Sequence, residues 1–196
     1  EQLKLHDDIA MVWITNPTYE GVVSDVKSIS AVCKKYNVPL IVDEAHACLW
    51  NFNKHLPTPA LQLGADAVVH SLHKTGGSMS QSSMLHIAQN SMLDVDAVEK
   101  ALKLLHTTSP SMLLLASLDA ARANLDSTRG KKQLARAIEN AKYLRREIDT
   151  MEHIHHLKPD FGYKTDITKI FIKADGLSKK RLESILEIDF NIEVES

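Results

Sequence analysis

Three short apolar runs, each ending in a cluster of chemically capable side chains, restrict this chain to a small set of folds. Ile9 to Thr15, Leu40 to Asp43 and Asp66 to His70 are too short for ordinary helices and rich in apolar strand formers, so each reads as a buried strand. Between the first two lies a helical pattern that Ser24 or Asp25 can cap. Its face carries Ile29, Val32, Cys33 and Tyr36, and Asn37 with Pro39 stops it. Leu56 to Gly64 is a proline-containing connector with one or two helical turns, and Ser83 to Ala88 offers a fourth strand. Strand, helix, strand alternation predicts an α/β fold, a mostly parallel sheet with helices on both faces and right-handed crossovers. In such sheets ligands bind beyond the carboxyl ends of the strands. Asn16-Pro17-Thr18-Tyr19, Asp43-Glu44-Ala45-His46 and Ser71-Leu72-His73-Lys74 all fall there, so three clusters are expected on one rim.

Past residue 94 the pattern turns helical. Val95, Val98, Leu102 and Leu105 form one stripe and Leu134, Ile138, Ala141 and Ile148 another, both expected as core faces. Gly130 is expected to break the helical stretch after Arg129. Ile167 to Lys173 reads as a strand, followed by a helix capped by Ser178 and ending near Glu187. Residues 1–150 are therefore expected to form a major domain, and residues 151–196 the beginning of a small α+β domain. The sequence starts without Met and ends on the strand-like Asn191-Ile192-Glu193-Val194, which reads as a segment of a longer polypeptide.

With 196 residues, 44% of them hydrophobic and 24% charged, the chain can bury a sizeable core. A formal net charge of -2 lacks the basic excess that neutralises a phosphate backbone, so no nucleic-acid partner is expected. No apolar run approaches the roughly 20 residues of a membrane span, and no membrane partner is expected. Cys33 and Cys48 form neither a CxxC pair nor a disulfide framework, which favours a reducing compartment, the cytoplasm.

A carboxylate at one strand end and a lysine at the next, about 31 positions on, suit the chemistry of pyridoxal 5'-phosphate (PLP). The lysine condenses with the cofactor aldehyde as a neutral amine, which burial and nearby positive charge favour. Lys74 is placed for that. The carboxylate pairs with the pyridine nitrogen and keeps it protonated, so that the ring accepts electrons from a breaking bond. Asp43 is placed for that.

The stretches Ile41-Val42-Asp43-Glu44-Ala45-His46-Ala47, Ser71-Leu72-His73-Lys74-Thr75 and Thr15-Asn16-Pro17-Thr18-Tyr19-Glu20-Gly21-Val22 together resemble the fold-type-I ornithine/lysine/arginine decarboxylases. The resemblance implies an aminotransferase-like fold, with residues 1–150 as the C-terminal part of the PLP-binding major domain. It implies that Asp43 holds the pyridine nitrogen, Ala45 packs against the ring and His46 also contacts the cofactor. Ser71 is implied at the phosphate, His73 beside the cofactor and Lys74 as its covalent attachment point. Lys74, His73 and His46 are thereby marked as catalytic, and any of the three can return the proton to the α-carbon. Thr107-Thr108-Ser109-Pro110-Ser111 resembles a family segment near the dimer interface and the active site. The resemblance covers nearly the whole chain, including a tail from Leu177 to Val194 like the start of the family's small domain. The upstream Gly/Ser-rich turn that binds most of the phosphate, and the rest of the small domain, are not in this sequence. The implied activity, carried by a longer protein, is decarboxylation of a small basic amino acid, lysine, ornithine or arginine, to its amine and carbon dioxide. A homodimer or higher homo-oligomer and a place in polyamine biosynthesis follow from the same resemblance.

Other readings stay open at this point. An aminotransferase or a lyase can be built on the same scaffold, and an inactive fragment can act as a binding or assembly subunit. Asp-Glu-Ala-His after an apolar strand also occurs in DEAH-type helicases, although no GxxxxGK[ST] loop accompanies it here. His153, His155 and His156 read as surface residues, and His70 with His73 has too little company to hold zinc, so no metal is expected. Met79, Met84 and Met92 read as core fillers.

Overall fold

Leu40, Val42 and Val68 are fully buried, and in Leu40–Asp43 buried and half-buried residues alternate, the period of a sheet packed on one face. In the computed structural model, which describes residues 1–158 and 162–195, the elements run α1 (Gln2–Leu5), β1 (Val12–Thr15), β2 (Val22–Val23), α2 (Val26–Lys35), β3 (Leu40–Asp43), β4 (Ala67–His70), α3 (Leu72–Thr75), β5 (Met84–Ile87), α4 (Val95–Leu105), α5 (Met112–Asp126), α6 (Thr128–Asp149), β6 (Ile154–His156), β7 (Lys164–Thr165), β8 (Ile172–Ala174) and α7 (Lys179–Phe190). The main sheet has the order β1-β3-β4-β5. β1 is parallel to β3, β3 is parallel to β4, and β5 closes the edge antiparallel to β4. This is the mixed, mostly parallel α/β sheet that the strand and helix alternation predicts.

The first strand is shorter than its apolar run, because pairing with β3 begins only where Val12 meets Leu40. Asp25, not Ser24, caps α2, its carboxylate accepting the Ser28 N–H at 3.1 Å. The helix then lays Val26, Ser30 and Cys33 onto the sheet, with Val12, Ile14 and Ile29 packed around the same core. Val32, expected on that face, is 49% exposed. The buried polar position is tolerated because the Ser30 hydroxyl donates to the Gly64 carbonyl at 2.7 Å. Gly64 itself stands at φ +98 and ends the 3-10 turn Ala60–Leu63, as the connector's pattern predicts.

Leu134, Ile138, Ala141 and Ile148 are buried along α6, as expected. The stripe on α4 is not: no residue of that helix is buried, and Val95 and Leu105 are 55% and 84% exposed. The helix break also falls elsewhere. Ser127 ends α5 and caps α6 by accepting the Gly130 N–H at 3.0 Å, so Gly130 lies inside the first turn of α6. What demands a glycine there is space, because a Cβ would sit 1.9 Å from the Asn124 carbonyl oxygen. Farther on, β6 pairs antiparallel with β8 and β7 returns to pair with β2, next to the main sheet's carboxyl rim. The strand expected over Ile167 to Lys173 is confined to Ile172–Ala174. Ser178 does cap α7, but Asn191 is that helix's left-handed C-cap, and the residues after it form no strand.

Candidate active site

Register sets the site. Thr15 lies opposite Asp43 on β3, and Asp43 lies opposite Val69 on β4, so the loops that follow leave from one level. At the end of β3 the Asp43 Oδ1 accepts the Ala45 N–H at 3.0 Å, an Asx turn that fixes the carboxylate. Its Oδ2 has no hydrogen-bond partner among the described residues. The chain then turns, with the Ala47 N–H donating to the Glu44 carbonyl, and this turn presents His46.

Beyond β4, Ser71 stands at the N-cap of the single-turn helix α3, yet its hydroxyl makes no capping bond. The Lys74 N–H donates to the Ser71 carbonyl at 3.0 Å, and the Lys74 side chain is exposed. His73 donates through Nδ1 to the Ser82 carbonyl at 2.7 Å, which leaves Nε2 as its remaining nitrogen. Gly77, at φ +88, lets the chain leave α3 where other residues would be strained.

The two loops meet at His46. Its Nε2 lies 3.2 Å from the Lys74 Nζ, and its Nδ1 lies 2.9 Å from the Nζ of Lys169, far along the sequence. The Tyr19 ring, from the loop after β1, meets His46 edge-on with centroids 5.6 Å apart. Burial holds the His46 imidazole below the ordinary histidine pKa, and the positive charges of Lys169 and Lys74 push the same way. The sequence clusters after β1, β3 and β4 are thus brought to one place, and Lys169 joins them.

Lys169 was invisible to motif reading. A local signal exists, since Asp166-x-Thr168 is the spacing of an Asx motif, and Asp166 Oδ1 accepts both the Thr168 N–H at 2.8 Å and its hydroxyl at 2.6 Å. The decisive contact is distant: the Trp50 Nε1–H donates to Asp166 Oδ2 at 2.8 Å across 116 positions.

Glu44, next to Asp43, faces the other way. It is fully buried, with Oε1 accepting the Ala60 N–H at 2.8 Å and Oε2 lying 3.1 Å from His70 Nε2. A carboxylate so occupied cannot orient water on a metal ion, which removes the helicase reading of Asp-Glu-Ala-His. Other expectations also change. The His156 side chain is 8% exposed and lies against Arg145, its Nδ1 3.2 Å from Nη1, so it is not a surface residue. Met79 and Met92 are 46% and 38% exposed and fill no core, whereas Met84 packs, half-buried, against the cluster formed by Cys48, Leu72 and Ala121.

The donor set fits PLP. Lys74 offers an accessible amine, Asp43 a fixed carboxylate with a free oxygen, and Ser71 a hydroxyl not spent on its own helix.

The fold is that of PLP-dependent, aminotransferase-like enzymes. Pyridoxamine-pyruvate aminotransferase from Mesorhizobium loti superposes with a TM-score of 0.75 over 100% of this chain and 53% of its own, at 20% identity. The chain belongs to the Orn/Lys/Arg decarboxylase family, whose major-domain profile matches residues 2–184. Among relatives, an arginine decarboxylase of Bacillus subtilis (strain 168) is 39% identical over 97% of this chain and 40% of its own length. The constitutive lysine decarboxylase of Escherichia coli (strain K12) is 30% identical over 70% of this chain and 20% of its own length. The chain therefore spans about two fifths of the arginine decarboxylases it matches. No helix among the described residues is long and apolar enough to cross a membrane.

Proposed function

We propose that the whole protein decarboxylates a basic amino acid with PLP, and that this segment supplies the lysine that binds the cofactor. The observation that carries the reading is the meeting of Lys74 with His46 at the carboxyl ends of β3 and β4, beside the fixed carboxylate of Asp43. When bound, PLP supplies an electron sink for the bond that breaks.

The residues of this chain divide the remaining work. Lys74 holds the cofactor through Nζ, and Asp43 Oδ2 provides negative charge for the pyridine nitrogen. Ala45 would pack against the cofactor ring, and Ser71 Oγ would bind its phosphate. His46 Nε2, His73 Nε2 and Lys74 Nζ are the three candidate atoms that would return a proton to the α-carbon. Residues 1–150 are assigned to the cofactor-binding major domain and residues 151–196 to the start of a small one. The protein is assigned to the cytoplasm as a homodimer or larger homo-oligomer. The relatives' names include both arginine and lysine decarboxylases, so lysine, ornithine and arginine are all candidate substrates.

The test is to express the full protein with PLP and assay amine and carbon dioxide release from each of the three amino acids. One of them should yield its amine, and Lys74→Ala should abolish the product. A keto acid in place of the amine would turn the assignment to an aminotransferase.

A further inference from the structure

Lys169 lies outside every motif named from the sequence, yet several separate contacts place it. Asp166 closes the turn before it and is itself anchored by Trp50. Arg145 on α6 donates through Nη2 to the Lys169 carbonyl. Gly21 clears the way, since a Cβ there would stand 2.7 Å from the Lys169 Cβ. The outcome is an Nζ only 17% exposed at the side chain and 2.9 Å from His46 Nδ1.

Hydrogen-bond arithmetic follows from this contact. A neutral imidazole has one lone-pair nitrogen and one N–H, and an ammonium group only donates. His46 cannot therefore accept from Lys169 and Lys74 together. Lys169 faces groups that an ammonium pairs with: the Glu195 carboxylate 4.0 Å away and the Tyr19 ring face with its centroid at 6.0 Å. Lys74 has no carboxylate at ion-pair distance among the described residues. With Lys169 donating to Nδ1, the ring proton sits on Nε2 and points at Lys74 Nζ, 3.2 Å away. Only a free amine accepts it there.

We propose that Lys169 is a positioning residue that holds His46 as the Nε2–H tautomer, so that His46 donates to Lys74 and favours the free amine that condenses with an aldehyde. The inference rests on reading Lys74 as the attachment residue. The charged and titratable groups facing His46 are Lys74 on α3, Lys169 between β7 and β8, Tyr19 after β1, Asp43 at the end of β3 and Glu195 in the C-terminal tail. The depressed His46 pKa fits a ring kept neutral between two lysines.

The experiment uses the full protein stripped of cofactor. Nitrogen-15 imidazole spectra, with His46 assigned by His46→Asn, should show the proton on Nε2. PLP is then added at a series of pH values and its covalent attachment trapped with borohydride. In Lys169→Met, His46 Nε2 becomes free to accept from a Lys74 ammonium, so the midpoint for attachment should move to higher pH, and Lys169→Arg should restore it. A wild-type ring protonated on Nδ1, or a Lys169→Met profile that superimposes on wild type, overturns the proposal. The wild-type tautomer needs no variant to fold. Wild-type protein that traps no cofactor on Lys74 would refute the attachment reading, while the tautomer measurement still judges the role of Lys169.

Discussion

Replacing Gly130 by alanine sets two effects of opposite sign against each other. In a helix interior, alanine is favoured over glycine by about 0.8–1.0 kcal/mol. The same methyl group would lie 1.9 Å from the Asn124 carbonyl oxygen and 2.8 Å from its carbon, both backbone atoms at the end of α5. No rotamer relieves that clash, so the α5–α6 junction must open by about 1 Å or more, at an overpacking cost of about 1–3 kcal/mol or higher. Opening also pulls the Gly130 N–H from its Ser127 Oγ cap, worth about 1 kcal/mol. The unfavourable contributions win, and a net loss of at least about 1 kcal/mol is expected. With a urea m-value of about 2 kcal/mol/M, the unfolding midpoint should fall by roughly 0.5 M. Gly130→Ala as stable as wild type, or more so, would refute the claim that close approach rather than helix breaking is why a glycine sits there.

Trp50→Phe should cost about 1–3 kcal/mol in denaturant titration, because it strips the buried Asp166 Oδ2 of its indole donor. Glu44→Ala leaves His70 and the Ala60 N–H unpaired in the core and should cost about 1–3 kcal/mol for each group by the same assay. Glu44→Gln should retain PLP attachment at Lys74, checked by mass spectrometry of the borohydride-reduced protein. His86 is held below the ordinary histidine pKa by burial and then by His70. The unfolded chain therefore binds the additional proton first, and this contribution to stability is lost as pH falls below the ordinary histidine value. The melting temperature should drop between about pH 7.5 and about pH 5.5, and His86→Asn should flatten the drop.

Local patterns carried most of the sheet. The run Leu40 to Asp43 contains its own alternation, and Asp25 and Ser178 cap helices by bonds that close within three residues. The placement of the clusters beyond the strands was readable for the same reason, since Asp43 closes β3 and Lys74 follows four residues after β4 ends at His70. Helix faces were less readable. Ser30 replaces Val32 inward because a carbonyl 34 positions away accepts its hydroxyl, and nothing near Ser30 announces Gly64. Lys169 shows the limit most plainly. Its position depends on Trp50, Arg145 and Gly21, contacts that exist only once the chain returns from β7 to the rim.

Peptide mapping of the full protein, reduced with borohydride in the presence of PLP, tests the central assignment most directly. A pyridoxyl group on the peptide carrying Lys74, and its disappearance in Lys74→Ala, is the predicted result. A label on Lys169 or another lysine, with Lys74 unmodified, would contradict the account.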